Sequence, residues 1–442
     1  MHRGDTIAAV ATPFGAGAIA IIRVSGPRAV EIAGEVWRGR SPLCAASAGR
    51  VMLGRAEYGG VVLDEVLCTV FRAPRSYTGE DVVELSAHGG VVVAHSVLRA
   101  LLESGARPAG PGEFTQRAFL NGKMDLTRAE AVMDLISARG EASARAAAAQ
   151  LEGRLGRVVE KLRGDTLAAL AHLEAFIDFP DEGIDPESGR VLRSRIEALQ
   201  SSVAHMLSTA DEGRMLREGV RLVIFGEPNA GKSSLLNLLV GYDRAMVSEI
   251  PGTTRDTIEE NLTLRGIPFR VVDTAGLRES SEPLEVEGMR RTRRHMEQAD
   301  VALRVLDASA WNDPGDAPPR EIRVLNKIDL WSRGEFPAGA VPVCCLDGRG
   351  LDDLVGAIIA RTDLAALGRS GETVAINARH QNCLRTAQEC LAEAAASLAR
   401  DDAPELTALE LRSALAAIGE IVGAVDAEEI LGKIFSTFCI GK

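Results

Sequence analysis

Residues 226–233 read Gly226-Glu-Pro-Asn229-Ala230-Gly231-Lys232-Ser233, with glycines spaced so that backbone N–H groups can turn inward onto an anion. The apolar run Leu222-Val-Ile-Phe225 precedes this loop and the helix-like run Ser234-Leu-Leu-Asn-Leu-Leu-Val240 follows it. Strand, glycine loop and helix in that order make a phosphate cradle, to which the helix N-terminus adds partial positive charge. Lys232 is set for the β- and γ-phosphates, and the Ser233 hydroxyl for Mg²⁺. Further along, Arg323-Val-Leu-Asn326-Lys327-Ile328-Asp329 is a short apolar strand ending in Asn-Lys-x-Asp. The Asp329 carboxylate can accept from the N1–H and 2-amino groups of guanine. Adenine lacks both donors, and a buried Asp329 facing it would be left unpaired at a cost. Between these motifs, Val271-Val-Asp273-Thr274-Ala275-Gly276 offers Asp273 to Mg²⁺ through water and the Gly276 N–H to the γ-phosphate. Thr253-Thr254-Arg255-Asp256 supplies a threonine for the metal. Four signatures in this order imply a site for GTP and its hydrolysis.

The group that activates water is less plain. Leu277 stands where a Ras-type switch carries its water-orienting glutamine, and leucine cannot polarise water. Glu279, Glu282, Glu285 and Glu287 follow closely. One of them can position the attacking water, or the stretch is simply a solvated acidic loop. Asn229 also has two readings. It either shapes the loop or gives its carboxamide to a monovalent cation beside the phosphates, whose other ligands would come from Val247-Ser248-Glu249-Ile250-Pro251-Gly252-Thr253. Ala230, Gly231, Ser234 and Ile328 complete the residues expected to line the nucleotide.

The elements that must hold these groups fall into zones. At 442 residues the chain has room for two or three domains, and 46% hydrophobic with 25% charged residues is ordinary globular composition. Residues 1–120 mix the β-rich runs Ile19–Val24, Val61–Leu63, Val66–Phe71 and Asp81–Leu85 with turns and two helices, an α+β domain. Helical pattern fills 121–217. Thr127-x-x-Glu130 reads as a capping box with Leu126 as its staple, and Ala129, Val132, Met133 and Ile136 share one face. Strands and helices alternate over 218–366, a doubly wound α/β domain, and 375–442 is helical again. The class expected is multidomain α/β, with the nucleotide domain inserted between two halves of one helical domain.

The net charge of −12 argues against a uniformly basic nucleic-acid binder, although Arg290-Arg291-Thr-Arg293-Arg294-His295 is either a local basic face or a solvated helix surface. Seven scattered cysteines without a C-x₂-C pair suit a reducing compartment. Without a signal pattern or an apolar run of about 18 residues, the expectation is a cytoplasmic protein that does not enter a membrane. The terminal Cys439-Ile-Gly-Lys442 is a poor prenylation box, since Gly is not aliphatic. Thr12-Pro-Phe-Gly15-Ala-Gly17 is a loose dinucleotide fingerprint, set aside because a strand follows the glycines where a helix is needed. Arg23 and Glu84 lie within otherwise apolar strands, as edge charges or as ligand contacts.

Asp5-Thr-Ile-Ala-Ala-x-Ala-Thr-Pro13, Ser76-Tyr-Thr-Gly-Glu-Asp81, Pro111-Gly-Glu-Phe-Thr-x-Arg-Ala-Phe-Leu-Asn121-Gly-Lys-x-Asp125 and Phe438-Cys-Ile-Gly-Lys442 resemble the MnmE (TrmE) family of tRNA-modification GTPases. So do Pro228-Asn-Ala-Gly-Lys-Ser-Ser-Leu-Leu-Asn237 and Gly252-Thr-Thr-Arg-Asp256. The resemblance implies an N-terminal domain that binds a tetrahydrofolate one-carbon derivative, such as 5-formyl- or 5,10-methylene-tetrahydrofolate, and forms a homodimer. It implies a partner, MnmG, that carries FAD, and joint installation of aminomethyl-type or carboxymethylaminomethyl-type groups on C5 of the tRNA wobble uridine. By position Arg23, Glu84, Lys123 and Lys442 match folate contacts, while Asn229, Ser248, Ile250 and Thr253 match K⁺ ligands. Ser233 and Thr254 match Mg²⁺ ligands, and Glu285 matches the catalytic glutamate. Cys439 matches the family's terminal cysteine, with its chemistry left open. One motif departs: Val343-Cys344-Cys345-Leu346-Asp347-Gly348 stands where a Ser-Ala pair usually supports guanine, and backbone amides are expected to preserve that contact. A regulatory or ribosome-assembly GTPase is the competing expectation, and it leaves the terminal motif without a role.

Overall fold

A computed structural model describes residues 4–178, 189–244, 259–272, 297–312, 315, 317–362, 375–400, 402–424 and 428–442. Contacts divide the chain into two compact units, Met1–Met133 with Val422–Lys442, and Asp134–Ile421. Residues 422–442, expected within the second half of the helical domain, thus group with the N-terminal sheet.

The first unit contains β1 (Ile7–Val10), β2 (Ile19–Ser25), α1 (Ala29–Val36), β3 (Trp37–Gly39), β4 (Val51–Tyr58), β5 (Val61–Phe71), β6 (Val82–His88), α2 (Val91–Glu103), β7 (Arg107–Pro108) and α3 (Glu113–Leu120). Its sheet runs β3-β4-β5-β6-β2-β1-β7. Two apolar runs read as separate in the sequence form the single strand β5. Asp64 and Glu65 interrupt the apolar pattern without breaking the ladder, because Glu65 pairs in register with Arg55 and Asp64 accepts from the His88 backbone N–H at 2.7 Å. Alternation sorts the faces of the sheet. Ala8, Ile22, Val24, Val83 and Leu85 join the core under α1 and α2. Ile7 and Ala9 face the other way, onto Phe114 and Tyr77. Arg23 lies in register with both Ala9 and Glu84, on this second face.

Helix α4 (Leu126–Ser137) corrects two expectations. Asp125, not Thr127, caps it: the Asp125 carboxylate accepts from the Arg128 N–H at 3.0 Å and from the Thr127 hydroxyl at 2.6 Å. Thr127 is consequently inside the first turn and buried. Ile136, expected on the apolar face, is exposed, while Leu126 and Ala129 pack against Leu431, Phe435 and Phe438 of the C-terminal segment.

In the second unit α5 (Glu141–Leu151), α6 (Arg154–Asp178), α7 (Gly189–Ser208) and α8 (Ala210–Glu218) lead into β8 (Val220–Gly226) and α9 (Lys232–Arg244). Then come β9 (Glu259–Leu264), β10 (Ile267–Val272), β11 (Val301–Asp307), β12 (Glu321–Asn326), β13 (Ala340–Val343) and α10 (Leu351–Arg361). Helices α11 (Ala378–Arg400) and α12 (Pro404–Val422) follow. The sheet order is β13-β12-β11-β8-β10-β9, with only β9 antiparallel to its neighbour. Near-continuous apolar strands such as Val301–Val305 and Ile322–Leu325 are what a sheet covered on both faces requires. Leu235 and Leu239 of α9 and Leu354, Val355 and Ile358 of α10 cover it. Helical spacing of Leu192, Ile196, Leu199 and Val203 in α7 likewise buries one face. The multidomain α/β class expected from the sequence holds.

Candidate functional site

In an open parallel sheet, ligands bind outside the carboxyl ends of the strands, where loops leave for helices on either face. Four such ends lie side by side here: Gly226 on β8, Asp307 on β11, Asn326 on β12 and Val343 on β13. The glycine loop leaves β8 and closes at α9, which begins on Lys232 and whose first turn carries Ser233 and Ser234. Asn229 adopts a left-handed backbone at φ 63°, so its part in shaping the loop is real, while its side chain remains exposed. Gly231, at φ 97°, is irreplaceable for a second reason: a Cβ there would collide with the Asn326 carboxamide.

Strand β12 and the glycine loop are joined. Asn326 is buried, and its Nδ2–H donates to the Ala230 carbonyl at 2.9 Å. Its Oδ1 accepts from the Cys345 N–H at 3.4 Å. Lys327 also adopts a left-handed backbone, and its ammonium pairs with Asp307 at 2.7 Å. Burial pushes the Asp307 carboxyl up, and the hydrogen bonds from Lys327 and Ser309 more than reverse this, leaving it below its ordinary range. The sequence reading missed Asp307; its place at the end of an apolar strand level with Asn326 was the available signal. Lys232 donates to the Gly226 and Glu227 carbonyls at 3.1 and 2.8 Å, and burial pushes its pKa down. A phosphate anion beside this ammonium would offset that penalty.

Asp329 corrects the premise of a buried acceptor: it is exposed, on the short helical turn Ile328–Leu330. Ser248, Glu249, Ile250, Pro251, Gly252, Thr253, Thr254, Asp273, Thr274, Ala275, Gly276 and Glu285 lie outside the described residues.

In the first unit the two strand charges meet each other. Arg23 Nε–H donates to Glu84 Oε1 at 2.8 Å, and its guanidinium lies 5.5 Å from the Tyr77 ring centre and 5.6 Å from that of Phe114. Both members are half-buried. The chain terminus closes against them: Arg23 Nη1 donates to the Gly441 carbonyl at 3.4 Å. The Gly112 N–H donates to the Cys439 carbonyl at 3.2 Å, and the Phe114 N–H donates to that of Lys442 at 3.2 Å. Gly441 sits at φ 97°, where a Cβ would strike the Val10 carbonyl. Lys123 is exposed and donates to the Pro74 carbonyl at 2.8 Å, and Cys439 is an exposed free thiol. All seven cysteines are free.

Beneath the terminus lies a charge cluster that sequence reasoning did not single out. Arg117 pairs with Asp5 at 2.5 Å, Glu113 at 3.0 Å and Glu80 at 3.2 Å, and Arg107 pairs with Asp5 and Glu113 at 2.7 and 2.6 Å. The i, i+4 spacing of Glu113 and Arg117 on α3 was its only local trace. The cluster fixes the start of α3, on which the terminal residues rest. A cleft of about 1000 Å³ beside β3–β5, lined among others by Trp37, Arg38, Leu53 and Glu65, contains none of the residues singled out from the sequence.

The second unit is therefore a P-loop, guanine-type nucleotide fold, and the first an α+β unit in which the chain terminus closes on the Arg23–Glu84 pair. The family pattern described as the GTP-binding protein TrmE N-terminus matches residues 6–123, and the MnmE helical domain pattern matches 126–439. The chain is 48% identical over 446 residues to the tRNA modification GTPase MnmE of Akkermansia muciniphila, covering 99% of each. It is 45% identical over 458 residues to that of Opitutus terrae, again covering 99% of each, and 45% identical over 453 residues to that of a Thermus thermophilus strain, covering 100% of each. The chain belongs to the MnmE family.

Among the described residues no helix is long and apolar enough to cross a membrane, and no group of three or more His, Cys, Asp or Glu residues is arranged to hold a metal. Hard oxygen donors for Mg²⁺ and K⁺ are nevertheless offered at the phosphate loop, by the exposed Ser233 hydroxyl and Asn229 carboxamide. A half-buried carboxylate likewise suits the N–H donors of a pterin, but Arg23, paired with it at 2.8 Å, lies at that same end and cannot also reach the distant glutamate end of a folate.

Proposed function

We propose that the chain hydrolyses GTP in the second unit and uses a reduced folate bound in the first to modify C5 of the wobble uridine of tRNA. The observation carrying this reading is the hydrogen bond from Asn326 to the Ala230 carbonyl, which joins base recognition and the phosphate loop into one site. Asp329 would accept from guanine and Lys232 would hold the β- and γ-phosphates. Ser233 and Thr254 would ligate Mg²⁺, and Asn229, Ser248, Ile250 and Thr253 would ligate K⁺. The bound cations would neutralise charge developing on the phosphates. Glu285 would position the attacking water.

Arg23 and Glu84, with Lys123 and Lys442, would hold 5-formyl- or 5,10-methylene-tetrahydrofolate as the one-carbon source. Glu84 would accept from the pterin donors, Arg23 would hold that carboxylate in place, and Lys123 and Lys442 would add positive charge. Both are half-buried and already paired, so their geometry is set before a ligand arrives. The working assembly in this reading is a cytoplasmic homodimer with the FAD-carrying partner MnmG, acting on tRNA. The product is an aminomethyl-type or carboxymethylaminomethyl-type uridine.

Nucleoside analysis of tRNA from a strain lacking the gene tests the proposal. Loss of C5-modified wobble uridine, restored by the wild-type gene, is expected. Unchanged tRNA would favour a regulatory or ribosome-assembly role, whereas failure of the purified chain to hydrolyse GTP would remove the nucleotide half.

A further inference from the structure

The loop after β13 carries Cys344 and Cys345 side by side, and its geometry gives the first of them a task. Cys344 is buried at 1% exposure. Its N–H donates to the Arg349 carbonyl and its own carbonyl accepts from the Gly348 N–H, both at 2.9 Å. Gly350, at φ 80°, returns the chain so close to Pro342 that no Cβ would fit. The backbone therefore holds the Cys344 side chain in one place. From there Cys344 Sγ lies 3.5 Å from Asp329 Oδ1. The next residue donates its backbone N–H to Asn326. One loop thus braces both residues of the base-reading motif, Asn326 through an amide and Asp329 through a thiol.

We propose that Cys344 is a positioning residue for guanine selectivity: its S–H orients the Asp329 carboxylate so that both oxygens face the N1–H and 2-amino groups of the base. This rests on the reading of Asp329 as the guanine acceptor. Asp329 is otherwise an exposed carboxylate on a short turn, free to rotate, and a rotated carboxylate meets only one of the two donors. The thiol also lies within reach of Asp347. That carboxylate already accepts from the Arg349 N–H at 3.1 Å and from its guanidinium at 2.8 Å, which leaves Asp329 the acceptor in need of a donor. A thiol is a weak donor beside a hydroxyl, so the restraint is soft and a serine would tighten it. Selectivity built on hydrogen bonding is sensitive to such placement, because a mispositioned acceptor loses its advantage for the base carrying both donors.

The test measures dissociation constants of the full chain for GDP, IDP and XDP by calorimetry, the diphosphates avoiding turnover. IDP lacks the 2-amino group and reports how well both Asp329 oxygens are aimed. In Cys344→Ala the preference for GDP over IDP should fall about three- to tenfold, the worth of one hydrogen bond from a weak donor. In Cys344→Ser it should equal or exceed wild type. An unaltered preference in Cys344→Ala, or an equal loss of affinity for all three nucleotides, would overturn the proposal by showing that the residue only fills space. Should the alanine variant fail to fold, a preference in Cys344→Ser below that of wild type would do the same. Asp329→Asn tests the premise separately. An amide can donate to the C2 carbonyl of xanthine and accept from N1–H, so preference should pass to XDP. If it does not, Asp329 is not the base reader, whatever Cys344 does.

Discussion

The Asn326 side chain donates to the Ala230 carbonyl at 2.9 Å, so the end of β12 and the loop after β8 move as one piece across the intervening strand β11. Removing this amide leaves the Ala230 carbonyl and the Cys345 N–H without their partner in a buried place, a cost of about 1–3 kcal/mol. Asn326→Ala should therefore weaken GDP and GTP binding by about ten- to a hundredfold. The loss should be similar for GDP and IDP, since the fault lies in the frame and not in the acceptor. Titration with both diphosphates checks this, and wild-type affinity would deny the link any part in binding.

The Arg23–Glu84 pair supplies a second prediction. Glu84→Gln keeps an acceptor for Arg23 and should fold, yet it loses the charge that favours the pterin N–H donors. Binding of a reduced folate should weaken by about tenfold or more, in line with hydrogen bonds to charged groups, with GTP hydrolysis retained. Deleting Cys439–Lys442 removes the carbonyls that accept from Gly112, Phe114 and Arg23, and should abolish tRNA modification without unfolding the chain. Calorimetry with a reduced folate decides the first point. Unchanged affinity in Glu84→Gln would take the folate away from this pair.

How much of this was legible in the sequence depended on whether a residue's role was local. The phosphate loop and Asn-Lys-x-Asp were, because glycine spacing and a terminal strand carboxamide are dictated by the chain within a few residues. The partner of Asp329 was not: Cys344 lies fifteen positions away and meets it only because β12 and β13 are neighbours. Asp125 was overlooked as a cap because Thr127 and Glu130 fitted the capping-box spacing equally well. The structure gives the carboxylate the place because it reaches both Arg128 and Thr127. The mutual pairing of Arg23 and Glu84 was hidden for the usual reason with β-structure, that register between distant strands is not written in either one.

Potassium dependence follows from the exposed Asn229 carboxamide at the tip of the phosphate loop. GTP turnover should be several-fold faster in KCl than in NaCl at equal ionic strength, because sodium's shorter preferred ligand distances fit the same oxygens poorly. Asn229→Ala should remove the difference between the salts. Equal wild-type rates in both would speak decisively against a cation at this position.

Glu285 carries the fourth prediction. Removing a carboxylate that positions water typically costs about 10²–10⁴-fold in rate. In Glu285→Ala that loss should appear in turnover, with GTP affinity little changed, the pattern of an interaction made only in the transition state. Single-turnover hydrolysis separates the two quantities. A near-normal rate would pass the role to Glu279, Glu282 or Glu287, or to no side chain.

The last prediction concerns Arg117, whose guanidinium faces Asp5, Glu80 and Glu113. Burial pushes the Asp5 and Glu113 carboxyls up, but hydrogen bonds from Arg107 and Arg117 pull them further down, so both lie below their ordinary values of 3.8 and 4.5. In the wild type these carboxylates thus add stability above their unfolded values, and it is lost as pH falls through the lower folded ones. Arg117→Met removes the shared cation from a half-buried cluster and should cost about 1–3 kcal/mol at neutral pH. The three carboxylates then repel, with Arg107 alone to neutralise two of them. Asp5 and Glu113 keep Arg107 but lose the hydrogen bonds from Arg117, so their folded values move back up towards 3.8 and 4.5. The wild type should therefore lose more stability than the variant as pH falls from about 7 to about 3, and the gap between them should narrow. Hydrogen exchange of residues 5–120 at the two pH values measures the gap between the proteins. A narrowing gap assigns the loss to charge, and a constant one would reduce Arg117 to packing.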